Sequence, residues 1–495
     1  MRYLMCVATI LFCLFATNLT ALAGIPGQDT TYEATWESID SRPTPQWWRD
    51  AKFGIFIFWG VSSVPAYSPP GTYTEWYWYW LEKSEKWGPS VRKIQDRAFG
   101  EGFRYEDFIP LWKAEFFDPE KWADIVERSG AKYVVLNAKH HDGYTLWKSD
   151  EADRSFGRKW NSVDSGPRRD IIAEVAAAVR SRGLKFGAYY SLYEWFNPLY
   201  LHSPETFVRD HYFPQFQDLV KHCTPSIIFA DGEWDHSDEI WKSRELLAWL
   251  FNRAPNRQEV VVNDRWFKGC RHTHGGYYTT EYGSGFDSGE HPWEENRAIG
   301  ESYGYNRAEE LEHYSTAREL ILMLVDIVSR GGNLLLDIGP AADGRIPVIM
   351  VDRLEAMGQW LAINGEAIYE SRPWRVSCQW GPGQVPEEPR GEYNIAYDIL
   401  RLTLEPEEGQ AVKEVFFTQK DDCLYAITPR FPYEELVLKG ITPAPDTQVF
   451  LQGRSGILTW KERDGNLVIQ IPPLPFIELP CRHAWAFKIT GISRS

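Results

Sequence analysis

Ser226-Ile-Ile-Phe-Ala-Asp-Gly-Glu-Trp234 is an uncharged apolar run that ends in a carboxylate, a glycine and a second carboxylate. A short apolar run closed by turn residues reads as a fully buried strand of a parallel sheet. In a barrel of such strands, Asp231 falls at the C-terminal end of its strand, where barrels carry their chemistry. An Asp after a strand also serves as a helix cap or turn residue. Recurrence decides between the two readings, because the pattern returns along the chain.

Residues 53–60, 132–141, 185–191, 259–265, 277–282, 301–305 and 332–339 read as further strands. Between them lie helical patterns at 118–130, 170–183, 204–223, 239–254 and 315–330, with one more at 346–364. The first has Asp118 as N-cap, Pro119 at its first position and Gly130 at its end. Alternation at this spacing predicts an α/β fold, a (β/α)8-like barrel over 47–374. A doubly wound open sheet is the alternative, but it advertises a Gly-rich phosphate loop after its first strand, and the chain has none there. The aromatic segment 68–87 reads as a structured loop over the first strand, and 24–46 as an extended leader. After Trp374 short strands separated by Gly, Pro and Asp predict a small C-terminal antiparallel β-sandwich, 375–495, with a structural role.

Composition narrows the function. The chain has 495 residues, room for a large catalytic domain and a smaller second one. A net charge of −16 without a basic cluster excludes nucleic-acid binding, which needs a Lys/Arg surface. Aromatic residues make up 15%, with 23 Trp, and flat apolar faces with polar edges suit the C–H faces and hydroxyl rim of a sugar. Residues 1–23, apolar and ending Ala21-Leu22-Ala23, read as a secretory signal peptide, so export to the periplasm or outside is expected, with no membrane span. Cys6 and Cys13 leave with it. The remaining Cys223, Cys270, Cys378, Cys423 and Cys481 form no disulfide framework, although one or two bridges fit, and no C-x-x-C pair suggests zinc. No cofactor is expected.

The strand ends deliver Phe58 and Trp59, then His140, His141 and Asp142, then Tyr189 and Tyr190, then Asp231 and Glu233, then Asp264 and Arg265, then Glu281. Neighbours on a strand face opposite ways, so His140 and His141 share the axis only if the strand bends; a metal pair is the weaker reading. Arg265 fits a neutralising partner for Asp264 as well as a site residue. Carboxylates at different strand ends, without metal ligands or a phosphate loop, fit glycosyl acid/base or nucleophilic chemistry.

Phe53-Gly-Ile-Phe-Ile-Phe-Trp-Gly60, Glu75-Trp-Tyr77, Lys139-His-His-Asp-Gly-Tyr144, Tyr189-Tyr-Ser191, Asp231-Gly-Glu-Trp234, Asn263-Asp-Arg-Trp266 and Gly331-Gly-Asn-Leu-Leu-Leu-Asp-Ile-Gly-Pro340 occur in this order. The chain resembles the α-L-fucosidases of glycoside hydrolase family 29. The resemblance implies a retaining exo-glycosidase acting on fucosylated oligosaccharides or glycoconjugates, with Asp231 as nucleophile. For the acid/base it implies Glu281 first, with Glu290 and Glu294 in the following loop as alternatives. Phe58, Trp59, Glu75, Trp76, His140, His141, Tyr189, Trp234 and Arg265 would line the substrate. Phe58 stands where the family pattern Phe-Ile-His-Trp-Gly has histidine, and a phenyl ring makes no such hydrogen bond to a hydroxyl. Two other readings therefore accompany the fucosidase: a retaining glycosidase of altered sugar specificity, and a non-catalytic sugar-binding homologue.

Overall fold

The computed structural model describes residues 31–287, 289–387 and 397–492, so the signal peptide expected at 1–23 lies outside the described residues. Eight parallel strands form one curled sheet: β1 Phe53–Ile57, β2 Tyr133–Lys139, β3 Lys185–Ser191, β4 Ile227–Asp231, β5 Val261–Val262, β6 Tyr278–Glu281, β7 Trp293–Ala298 and β8 Asn333–Ile338. Their order is β5-β4-β3-β2-β1-β8-β7-β6, the circular order of a barrel, with β5 and β6 as its two ends. Side chains alternate by strand geometry. Phe56, Phe58, Val135, Tyr189, Phe229 and Leu335 pack together inside, while Ile55, Ile57, Val134 and Leu136 join the core under the surrounding helices. The helix Pro119–Ser129 starts on the Asp118 carboxylate, which accepts from the N–H groups of Glu120 and Lys121, and ends at left-handed Gly130.

Between β5 and β6 side chains take over from the backbone ladder. β5 stops after two residues because the Asn263 amide pairs with Ala230 of β4, accepting from its N–H at 3.1 Å and donating to its C=O at 2.8 Å. The Asp264 carboxylate then reaches β6, accepting from Thr279 N–H at 3.2 Å and from its hydroxyl at 2.7 Å. Its other oxygen accepts from His272 N–H at 3.0 Å. Arg265 Nε donates to Thr279 Oγ1 at 2.9 Å. The returning chain passes so near that a Cβ on Gly275 would lie 2.5 Å from the Asn263 carbonyl oxygen, and Gly275 has φ +115°. The expected barrel is present, with a seam closed by side chains.

Four expectations change. The strand expected at 301–305 is irregular; the seventh strand is β7, whose Glu294, Glu295, Asn296 and Arg297 are all buried. Glu294 is therefore a strand residue, not a loop residue. The segment 68–87 is partly helical, with a 3₁₀ turn at Thr74–Trp76 and a helix at Tyr77–Lys83. The leader is not simply extended: Trp36–Asp40 is a helix, and the Tyr32 ring packs edge-on against Phe251. The cysteines downstream form no disulfide with one another.

Downstream, β9 Arg372–Trp380, β10 Lys413–Lys420, β11 Cys423–Thr428, β12 Glu435–Leu438, β13 Pro443–Leu451, β14 Trp460–Arg463, β15 Asn466–Gln470 and β16 Trp485–Ile492 form two antiparallel sheets. Their orders are β13-β16-β11-β10-β9 and β12-β15-β14, around a shared core containing Phe417, Leu438, Val449, Leu467 and Phe487. Buried Asp326, on the barrel helix Ala317–Ser329, accepts from Lys413 of β10 at 2.8 Å and from Tyr397 at 2.8 Å. Among the described residues, no helix is long and apolar enough to cross a membrane.

Candidate active site

A pocket of about 460 Å³, including its open mouth, lies at the C-terminal ends of the barrel strands. Asp231 is the last residue of β4 and lines it. The chain then turns on Gly232, at φ +77°, where a Cβ would meet Tyr193 Cβ at 2.7 Å. That turn carries Trp234 to the same pocket.

Asp231 is held from both sides. Its Oδ2 accepts from the Tyr189 hydroxyl at 2.8 Å and has His141 Nε2 at 3.6 Å. Its Oδ1 accepts from Arg265 Nη1 at 3.0 Å, with Arg271 Nη2 at 3.6 Å. Burial pushes this carboxyl's pKa up, but Arg265, His141, Arg271 and the Tyr189 hydroxyl outweigh it and hold the pKa below its ordinary value. Asp231 is therefore a carboxylate at neutral pH.

Glu281, the last residue of β6, shares the same guanidinium. Its Oε2 accepts from Arg265 Nη1 at 3.1 Å, and its Oε1 lies 3.4 Å from the Tyr73 hydroxyl. Here burial wins. Desolvation, aided by the Asp231 charge, raises the Glu281 pKa despite the opposing pull of Arg265. One nitrogen bonds both groups at 3.0 and 3.1 Å, so the two accepting oxygens are no more than about 6 Å apart. Two carboxyl groups thus face one pocket with their pKa values pushed in opposite directions, an arrangement suited to paired nucleophile and acid roles.

The histidines follow from a bend. The β2–β3 register shifts between Asn137 and Lys139 and β2 ends at Lys139, so His140 and His141 both reach the pocket. Ser191 donates its only hydroxyl proton to the Tyr193 carbonyl at 2.6 Å, and its oxygen lies 2.6 Å from His141 Nδ1. The hydroxyl can then only accept from Nδ1–H, which leaves His141 Nε2 as an acceptor. Burial lowers the His141 pKa to about 4 and drives that of His140 well down, so both rings are neutral near pH 7. Glu75 accepts from Gly304 N–H at 2.9 Å and Ser302 hydroxyl at 3.2 Å, and burial lifts its pKa to about 8. Phe58 meets the His140 ring edge-on at 4.7 Å.

The pocket brings together Phe58, Glu75, Trp76, His140, His141, Tyr189, Asp231, Trp234, Arg265 and Glu281. Trp59 is excluded. It lies on the outer face of its strand, fully buried against Trp112, Phe117 and Trp122, with its indole N–H bonded to the Ala341 carbonyl at 2.8 Å. Glu290 is exposed in the β6–β7 loop and does not line the pocket. Glu294 also lies off the lining, buried in β7 with the Tyr133 hydroxyl bonded to it, and burial raises its pKa to about 8. Five lining residues were not anticipated: Phe56, Tyr73, Phe229, Asn296 and Tyr303. Alternation from Phe58 and from Asp231 would have found Phe56 and Phe229. Arg271, in the loop that closes the seam, carried no sequence signal beyond its charge; its Nε donates to Glu233 at 2.7 Å. Among the described residues, no group of three or more His, Cys, Asp or Glu side chains is arranged to hold a metal ion.

The sequence profile described as Alpha-L-fucosidase matches residues 20–366, and that of the Alpha-L-fucosidase C-terminal domain matches 408–490. The chain is similar to the plasma alpha-L-fucosidase of Rattus norvegicus, at 38% identity over 97% of each chain. It is also similar to the tissue alpha-L-fucosidase of Homo sapiens, at 40% identity over 93% of this chain and 92% of the relative. Among solved structures, the alpha-fucosidase of Thermotoga maritima in complex with a mechanism-based inhibitor superposes with a TM-score of 0.75 at 32% identity, covering 93% of this chain and 100% of that one.

Proposed function

The chain belongs to the alpha-L-fucosidases, a family of glycoside hydrolases, and from that membership we propose an exported exo-enzyme that removes terminal α-L-fucosyl residues with retention of anomeric configuration. In the first step an Asp231 oxygen attacks the anomeric carbon while Glu281 gives its proton to the glycosidic oxygen. The bond to the aglycone breaks, the aglycone leaves as an alcohol, and a fucosyl–Asp231 ester remains. In the second step the Glu281 carboxylate takes a proton from water, whose oxygen attacks the same carbon. The ester bond breaks, which restores the Asp231 carboxylate and the Glu281 acid.

One observation carries this reading: Arg265 Nη1 binding Asp231 and Glu281 together. The resulting limit of about 6 Å fits the spacing of a retaining pair and falls short of the roughly 6.5–9.5 Å that an inverting pair needs for its water. Arg265 also favours the ionised nucleophile, and Tyr189 donates to its second oxygen. Neutral His140, His141 and protonated Glu75 are suited to exchanging hydrogen bonds with sugar hydroxyls without a net charge to desolvate. The strand-end pocket fits a terminal sugar. The apolar start of the chain and the plasma and tissue relatives support export.

The test is the anomer first released from an α-L-fucoside, followed by proton NMR. Release of α-L-fucose, which mutarotates afterwards, is expected; initial release of β-L-fucose would overturn the retaining assignment. Phe58 supports a second reading, a changed sugar at the same barrel, because its ring lies in the pocket wall against His140. A panel of aryl glycosides separates the two by which sugar gives the highest kcat/KM.

A further inference from the structure

Trp76 and Trp234 line the pocket but belong to a longer aromatic feature. Trp80 stacks on Trp76 with centroids 5.3 Å apart and planes 26° apart, and Trp76 stacks on Trp234 at 5.9 Å and 30°. Tyr79 packs edge-on to Trp76 at 5.2 Å. Neither Tyr79 nor Trp80 lines the pocket, so the stepped row leads away from it. Trp80 is anchored, its indole N–H donating to the Tyr73 carbonyl at 2.7 Å, and Tyr73 is itself a pocket residue.

Packing alone does not account for this row. Tryptophans that fill the core here, such as Trp59, Trp112 and Trp147, are shut off from solvent, whereas Trp76, Tyr79, Trp80 and Trp234 are only half-buried. A fifth aromatic ring backs the row. Trp195 packs on Trp76 at 5.1 Å and on Tyr79 at 5.5 Å, is only 2% exposed, and its indole N–H has no acceptor.

We propose that Trp76, Tyr79, Trp80 and Trp234 form the wall that binds the one or two sugar rings to which the fucose is attached. The inference rests on the α-L-fucosidase reading of the pocket and extends it to the leaving group. A pyranose presents an apolar C–H face that packs on indole, and its hydroxyls point along the ring edge towards polar partners. The row has no charged side chain, which matches it to neutral sugars. Because the wall starts at the pocket rim, the ring held there is the one that departs, and holding it orients the glycosidic oxygen for Glu281.

The experiment compares kcat/KM for a fucosylated trisaccharide with that for methyl α-L-fucoside, whose aglycone is too small to reach the wall. In Tyr79→Ala and Trp80→Ala the trisaccharide-to-methyl ratio falls roughly tenfold, the scale of one lost ring contact. In Trp80→Phe, which keeps an aromatic face, most of the ratio is retained. Equal losses on both substrates in both alanine variants would overturn the wall. Binding is read separately on the wild-type protein by titrating the fucose-free disaccharide against tryptophan fluorescence. Saturable quenching is expected, and its absence overturns the wall even if the variants do not fold. A wild-type protein that releases fucose from neither substrate would instead sink the fucosidase reading itself.

Discussion

Strands β1 to β4 carry five to seven residues each and are joined by backbone ladders, whereas β5 carries two and passes its pairing to side chains. The regular half supplies the groups suited to holding a sugar: Phe58, His140, His141 and Tyr189, with Asp231 at its edge. The seam half supplies charge: Arg265, Arg271 and Glu281. Apolar ladders hold their shape without help from the pocket. The seam is built from the same polar groups that bear on the chemistry, so there stability and reactivity share atoms. Substitutions on the two sides should therefore fail differently.

The largest effect is expected at the edge of the regular half. Asp231→Gly should lower kcat by about 10⁴-fold or more, the scale of single knock-outs in covalent machinery, while the ladders keep the fold. Azide should partly restore turnover and give a glycosyl azide of inverted configuration; near-normal activity without azide removes Asp231 from the role. Across the seam, Glu281→Gln should cost about 10²–10⁴-fold on natural fucosides and far less on an activated aryl fucoside. The pH profile of kcat/KM sharpens this. Asp231 sets an acid limb below the usual carboxylate range and Glu281 an alkaline limb above it. With the activated substrate, Glu281→Gln should lose the alkaline limb and keep the acid one. If the limb persists, the proton belongs to another group.

Asp264→Ala tests the seam directly. It leaves the buried donors of Thr279 unpaired, at a cost of about 1–3 kcal/mol per group, measurable by denaturant unfolding. It should also lower activity, since Arg265 loses the Thr279 geometry that Asp264 sets. A loss of stability without loss of activity would separate the two functions. The regular half has its own titration signature in Glu75. Its folded pKa, about 8, exceeds the ordinary 4.5, so its stabilising contribution is complete below pH 4.5 and is lost as pH rises to about 8. Glu75→Gln should flatten the fall in thermal midpoint across that window, and an unchanged slope would assign the fall elsewhere. The smallest effect is expected at Phe58→His. One regained hydrogen bond of about 0.5–1.5 kcal/mol should raise kcat/KM on simple α-L-fucosides by up to about tenfold. No gain on any glycoside would mean that Phe58 does not face the sugar.

The sequence revealed strands in both halves, since 259–265 and 277–282 cover β5 and β6 and bring Arg265 and Glu281. β1 to β4 and β8 were legible because strands buried on both faces are apolar runs that stop at a turn. The pocket residues at their ends, Phe58, His140, His141, Tyr189 and Asp231, came with them. β7 was hidden because Trp293-Glu-Glu-Asn-Arg-Ala298 resembles a surface segment. Its charges are buried only because they answer each other: Arg297 Nη2 meets Glu295 at 2.7 Å and the Gly283 carbonyl at 2.8 Å. The Arg297–Glu295 pair is two residues apart on the strand, but the Gly283 carbonyl and the Tyr303 hydroxyl, bonded to Asn296 at 2.6 Å, come from outside it, so Asn296 and Tyr303 were missed and Glu294 was placed in a loop. Trp59 is the opposite case. Strand alternation already set it on the face opposite Phe58, and the motif's aromatic character masked that rule.

The Asp264–Thr279–Arg265 bridge has one more consequence, for the order in which the molecule is made and lost. A nascent chain that has reached Val262 contains Asp231 but neither Arg265 nor Glu281, so it is catalytically silent however well its first strands have formed. Competence arrives with the last joint of the sheet. On heating the order should reverse, with the joint built from side chains opening ahead of the laddered strands and hydrolysis ending while ellipticity is still native. Amide exchange at Thr279 and His272 should keep time with inactivation, leaving β2 and β3 protected until the whole sheet melts.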